Sequence, residues 1–188
     1  MKIAIFASGT GSNAMKIIEY FRNKNLHEFI ILSNKKDAPV LEKAQKLDIR
    51  TYLFGRKDFY ETEEVLGILR TEKIDFVVLA GFLWLMPVRV IQQFPNRIIN
   101  LHPSLLPKYG GKGMFGQKVH EAVIAAGEKE SGITIHYVNE KYDEGQIIFQ
   151  EKCVVERGET PESLAEKIHT LEHLHLPRIV ENLVKNLD

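Results

Sequence analysis

At 188 residues, 44% hydrophobic and 27% charged, the chain has the size and composition of one globular domain with a substantial core. Lys+Arg and Asp+Glu balance at 25 each, which excludes an overall basic field for nucleic acid, and no polybasic run marks a membrane surface. The longest apolar stretch, VVLAGFLWLMPV, is too short and too interrupted to span a bilayer, and the one cysteine, Cys153, leaves no internal disulfide. Met1-Lys2 leads into an apolar strand pattern with no signal-peptide features, so a cytoplasmic protein is expected.

KIAIF at 2–6 predicts the first strand, followed by a glycine turn and a helix to about Arg22. FIILS at 29–33 is the second strand. Residues 38–47 follow as a helix with Val40, Leu41, Ala44 and Leu47 on one face, then a short strand near 51–54. Asp58 and Glu61 suggest a capping box for one helix running to Thr71. FVVLA at 76–80 is apolar at every position, as suits a parallel strand covered on both faces, and RIIN at 97–100 reads as the next. Beyond Asn100 the character changes. A helix is expected at 117–126. GITIHYV (132–138) and QIIFQEKCVV (146–155) are longer, alternating strands joined by NEKYDEG and suited to antiparallel pairing. Thr160 and Pro161 offer an N-cap and a first-turn proline for a long amphipathic helix, which Pro177 can kink. The expected fold is α/β: one domain over 1–188, a three-layer sandwich with a mostly parallel Rossmann-like sheet and a late antiparallel strand pair.

Three constellations carry chemistry. In SGTGSN, at 8–13, successive glycines let backbone N–H groups turn toward an anion, and the helix behind adds a favourable dipole. The stretch also fits a loose dinucleotide fingerprint, G-x-G-x-x-A. SNKK at 33–36 has no carboxylate for ribose hydroxyls, but its lysines would suit a 2′-phosphate, so an NADP-dependent oxidoreductase stays open. In IINLHPSLLP, Asn100 and His102 stand two apart and project from the same side of a strand end. An amide there can donate to a developing oxyanion, and an imidazole can move a proton. Asp143, in DEG, is a carboxylate that could raise and orient a histidine. Each has an ordinary alternative: a capped turn, a structural strand-end histidine, a turn aspartate. His169, Glu172, His173 and His175 cluster on the last helix without H-E-x-x-H spacing, so no metal site is expected. Residues 82–86, FLWLM, read as core or pocket wall.

Together these stretches resemble the folate-dependent glycinamide ribonucleotide formyltransferases over essentially the whole chain. The matching segments are SGTGSN, SNKKDAPVLEKA, DFVVLAGFLWLM, NRIINLHPSLLPKYGG, SGITIHYVNEKYDEGQII and HTLEH; NxHPSLLP with a later D-x-G is the specific signature. The resemblance implies a catalytic triad of Asn100, His102 and Asp143. It implies that Gly11, Ser12 and Asn13 hold the ribonucleotide phosphate and that Glu172 meets the glycinamide end. Backbone around Leu83, Trp84, Leu85 and Met86, with the loop of Asn139, Glu140, Lys141, Tyr142 and Asp143, would line the pteridine pocket of 10-formyltetrahydrofolate. The implied partners are these two small molecules, with no metal, nucleic acid or membrane, in a monomer or homodimer. Other folate-using formyltransferases and formyl-folate hydrolases share the signature. They would need further domains for which this chain is expected to have no room. The chain departs from the family pattern at Trp84, where relatives often carry arginine, and after LLPKY, where it continues GGKGMFGQKVHEA.

Overall fold

The computed structural model describes residues 1–22, 24 and 27–187. Strands β1 (Lys2–Phe6), β2 (Glu28–Ser33), β3 (Arg50–Leu53), β4 (Phe76–Leu79), β5 (Ile98–His102), β6 (Glu130–Tyr137) and β7 (Ile147–Val154) form one seven-stranded sheet in the order β3-β2-β1-β4-β5-β6-β7. β1 to β5 are parallel, and β6 and β7 complete the sheet antiparallel. The parallel interior and late antiparallel pair agree with the sequence pattern.

Side-chain alternation divides the core in two. Ile3 and Ile5 of β1 join Val78, Ile99 and Ile133 beneath helices α1 (Ser12–Arg22), α2 (Pro39–Gln45), α6 (Gln117–Ala125) and α7 (Pro161–Lys185). Ala4 and Phe6 point the other way, into a second core with Phe59, Val65, Leu69 and Val90 from α3 (Arg56–Tyr60), α4 (Glu64–Thr71) and α5 (Val88–Gln93). Three layers result.

One local expectation is revised. The single helix from Asp58 to Thr71 is two short ones. The Asp58 carboxylate instead accepts the Gly55 N–H at 2.7 Å, at the start of α3. The Arg89 guanidinium donates to the carbonyls of Phe59, at 2.7 Å, Tyr60, at 2.9 Å, and Thr62, and so collects the acceptors left where α3 stops. At the far end, α7 runs through Pro177 as one helix of 25 residues. Its start is as expected: the Thr160 hydroxyl accepts from the Ser163 N–H at 3.2 Å, with Pro161 in the first turn.

Below the sheet, Glu72 is buried and receives Lys2, Arg50 and Tyr52, which together hold its carboxyl at about 2 against the pull of burial. A carboxyl depressed in the folded state contributes stability above its unfolded value, and that contribution disappears as pH falls toward the folded one. Glu72→Gln is therefore expected to lower the urea midpoint at pH 7 and to flatten the loss of stability between about pH 4.5 and 2. Parallel acid curves for parent and variant would contradict this.

Candidate active site

The strand order decides where the motifs meet. β1, β4 and β5 are neighbours, so the loops leaving their carboxyl ends stand side by side: SGTGSN after β1, AGFLWLM after β4 and HPSLLP after β5. The chain winds one way from β1 to β3 and the other from β4 onward. An open α/β sheet binds ligands at such a switch point. A cleft of about 410 Å³ lies there, within the range of small-molecule sites.

Asn100 and His102 lie on the face of β5 opposite Ile99 and Leu101, which enter the core. Register pairs Asn100 with His136 and His102 with Thr134 across β6, so four polar side chains share this patch. Thr134 anchors the loop beyond β5. Its hydroxyl donates to the Ser104 carbonyl at 2.7 Å and accepts from the Leu106 N–H at 3.0 Å and the Gln150 amide at 2.8 Å. A register shift in the β6–β7 pairing falls at Ile135 and His136, beside the patch.

The 138–146 connection returns over this patch and delivers Asp143. One carboxylate oxygen accepts from the Gly111 N–H at 2.9 Å and lies 3.5 Å from His102 Nδ1. The other accepts from Asn100 Nδ2 at 3.3 Å and lies 3.6 Å from His136 Nε2. Asn100 gives its second amide hydrogen to His136 Nε2 at 3.1 Å, while His136 Nδ1 donates to the Tyr137 carbonyl at 2.9 Å. His102 Nε2 donates to the Tyr109 carbonyl at 2.8 Å. Asp143 (φ 57°) and Tyr109 (φ 57°), which flank the His102 ring, both occupy the left-handed backbone region that side chains seldom adopt.

Burial alone would raise the Asp143 carboxyl; His136, His102 and the Gly111 N–H outweigh it, and the group sits below its ordinary value. His102 goes the other way from the expectation that a carboxylate keeps it basic. Burial pushes its pKa down, and Asp143 and Tyr109 only partly restore it. Burial opposes a charge on the His102 ring, while the Asp143 carboxylate beside Nδ1 favours one.

Gly11, Ser12 and Asn13 all line the cleft at the start of α1. Gly11 has φ +68°, and a Cβ there would lie 2.1 Å from Val40 Cγ2, so this position is fixed by packing as well as by any anion. Lys35 lines the same end, and Lys43 Nζ donates to the Thr10 carbonyl at 2.8 Å. Glu172 is 5% exposed and accepts from Asn13 Nδ2 at 2.9 Å; burial raises its pKa, with Asn13 and His169 opposing.

Leu83, Trp84, Leu85 and Met86 line the cleft, as do Lys141, Tyr142 and Asp143; Asn139 and Glu140 are not part of its wall. Asn139 instead accepts the Lys141 N–H at 3.0 Å and shapes the turn. Trp84 packs among Phe54, Phe59, Tyr60 and Phe82, with the Arg56 guanidinium 5.8 Å from its ring centre. It is pocket wall. Among the described residues, no three His, Cys, Asp or Glu side chains gather as a metal site, and no helix is long and apolar enough to cross a membrane. His136 was not foreseen as a participant. Its only trace in the sequence is its place two residues after Thr134 in an alternating strand.

An open α/β sheet with an amide, an imidazole and a carboxylate gathered at its strand ends defines a Rossmann-like protein with a polar cluster at the switch point of the sheet. Residues 1–180 match the formyl transferase family model. The chain is 43% identical over 179 residues to a chloroplastic phosphoribosylglycinamide formyltransferase of Arabidopsis thaliana, a match covering 92% of this chain and 61% of that relative. It is 33% identical over 189 residues to the phosphoribosylglycinamide formyltransferase of Bacillus subtilis (strain 168), covering 97% and 94%. The crystal structure of phosphoribosylglycinamide formyltransferase from Bacillus halodurans superposes with a TM-score of 0.89 at 34% identity, covering 100% of this chain and 97% of that one. The chain belongs to the formyl transferase family. It spans about three fifths of the length of the plant relatives it matches.

Proposed function

We propose that this chain transfers the formyl group of 10-formyltetrahydrofolate to the amine of glycinamide ribonucleotide, a step of de novo purine biosynthesis. The observation that carries this reading is the convergence of Asn100, His102 and Asp143 in a cleft that also holds the glycine loop. β5 and β1 are two strands apart, so the two sites are separated by about 10 Å across the sheet. That interval suits a small ribonucleotide held by its phosphate and reacting at its far end.

In this reading the phosphate lies against Gly11, Ser12 and Asn13 at the N-terminus of α1, with Lys35 adding positive charge. The bond to Asn13 supports a place for Glu172 closer to this loop than the glycinamide end, where it accepts hydrogen bonds from substrate donors. Leu83, Trp84, Leu85, Met86, Lys141 and Tyr142 form the wall for the pteridine. The protein is proposed to act in the cytoplasm, as a monomer or homodimer, on small molecules alone.

A primary amine is nucleophilic once neutral, so no activated serine or cysteine is needed. As it attacks the formyl carbon, negative charge grows on oxygen. Asn100 redirects an N–H to that oxygen; losing one such donor typically costs about 2.7–4 kcal/mol of barrier. Asp143 offsets the burial that lowers His102, allowing the ring to accept a proton from the attacking nitrogen and return one, through water, to the departing folate nitrogen. One proton leaves the amine and one arrives at the folate.

The direct test follows loss of the formylfolate absorbance with both substrates present; no turnover dependent on the ribonucleotide would end the proposal. Asn13→Ala is expected to raise the KM for the ribonucleotide about tenfold while leaving formylfolate binding near the parental value. Equal effects on both ligands would remove Asn13 from the phosphate end.

A further inference from the structure

We propose that His120 is a substrate-binding residue: a neutral imidazole whose ring N–H holds the amide carbonyl of the ribonucleotide's glycinamide arm. This rests on the function proposed above. His120 lies on α6, is only 3% exposed, and lines the cleft. Its Nδ1 is closed off from solvent without a partner, and neither ring nitrogen is hydrogen-bonded among the described residues. The contrast with its neighbours is informative. His102 directs its nitrogens at Tyr109 and Asp143, and His136 at Tyr137 and Asn100.

An orphaned buried N–H is rarer in folded proteins than an under-satisfied acceptor, so the proton belongs on Nε2, leaving the enclosed Nδ1 with its lone pair. Burial, then the proximity of His169 and His102, lowers the ring's pKa to about 4, so it is uncharged at neutral pH. A histidine kept neutral by its surroundings and offering an N–H is suited to a carbonyl oxygen. Its two electrostatic neighbours fix its place. His102 belongs to the reacting end, and His169 lies on α7 one turn before Glu172, which is bonded to the glycine loop through Asn13. A ribonucleotide with its phosphate on that loop and its amine at Asn100 must carry its amide across the interval between them.

The test compares His120→Phe, which keeps the ring and removes the donor, with His120→Gln, which restores an N–H. The parent is first assayed for ribonucleotide-dependent formyl transfer; failure there sinks the functional reading and this inference with it. With an active parent, His120→Phe is expected to raise the KM for the ribonucleotide about 10- to 100-fold, with a smaller effect on kcat and unchanged formylfolate affinity. His120→Gln should recover most of the loss. A parental KM in His120→Phe overturns the inference while leaving the function standing. So does a fall in melting temperature with no change in KM, which would make the ring a packing residue only.

Discussion

Asp143→Asn should reduce turnover by about 10²- to 10⁴-fold while leaving the dissociation constant for the ribonucleotide within a few-fold of the parent. The expectation comes from where the two carboxylate oxygens point. One receives the Gly111 N–H and faces His102; the other receives the Asn100 N–H and faces His136. An asparagine can place its oxygen at only one of these positions. Its NH₂ must then oppose either the Gly111 N–H or the Asn100 N–H, and each orientation sets two donors against one another. The substitution also removes the one charge that counteracts the burial of His102, so the ring becomes a still weaker base. Among the described residues the polar partners of Asp143 are Asn100, Gly111, His102 and His136, none of them in the glycine loop, which is why binding of the phosphate end should survive. Steady-state kinetics paired with calorimetric titration separates the two quantities. Parental turnover would exclude Asp143 from the chemistry.

Much of this arrangement was legible because the candidate site sits on regular alternation. In I-N-L-H the apolar residues had to face a core, so Asn100 and His102 had to face away from it together. The SGTGSN loop was likewise marked by its place between an apolar strand and a helix. Tertiary contacts hid the rest. His136 becomes a partner of Asn100 only through the antiparallel register of β5 and β6, and no local pattern encodes that pairing. The break between α3 and α4 depends on Arg89, nearly thirty residues away, which takes the carbonyls at the end of α3. The family resemblance puts Asn139 in a folate-lining loop, and the fold uses its side chain within its own turn. The low pKa of His102 depends on how deeply the fold buries it, so the nearby carboxylate alone gave the wrong sign.

The D-x-G signature has a physical reason that yields the second large effect. Gly145→Ala is expected to destabilise the protein by about 3 kcal/mol or more and to cost about 10²-fold or more in turnover. A Cβ at position 145 would stand 1.6 Å from the Tyr137 carbonyl oxygen and 3.4 Å from His136 Nδ1, so backbone must move. That carbonyl is the acceptor that holds the proton on His136 Nδ1, which leaves Nε2 free to receive Asn100. Displacing it disturbs both nitrogens, and with them the Asn100 amide and the Asp143 carboxylate two residues before the new methyl. Gly67→Ala is the control. It lies within α4 with nothing inside 4 Å of an added Cβ, and should gain about 0.5–1 kcal/mol of stability with parental turnover. Urea midpoints and turnover measured on the pair distinguish a steric lesion at the site from a generic response to losing a glycine. If Gly145→Ala tracked Gly67→Ala in both, close approach at Tyr137 would not be what holds Asp143 over the strand end.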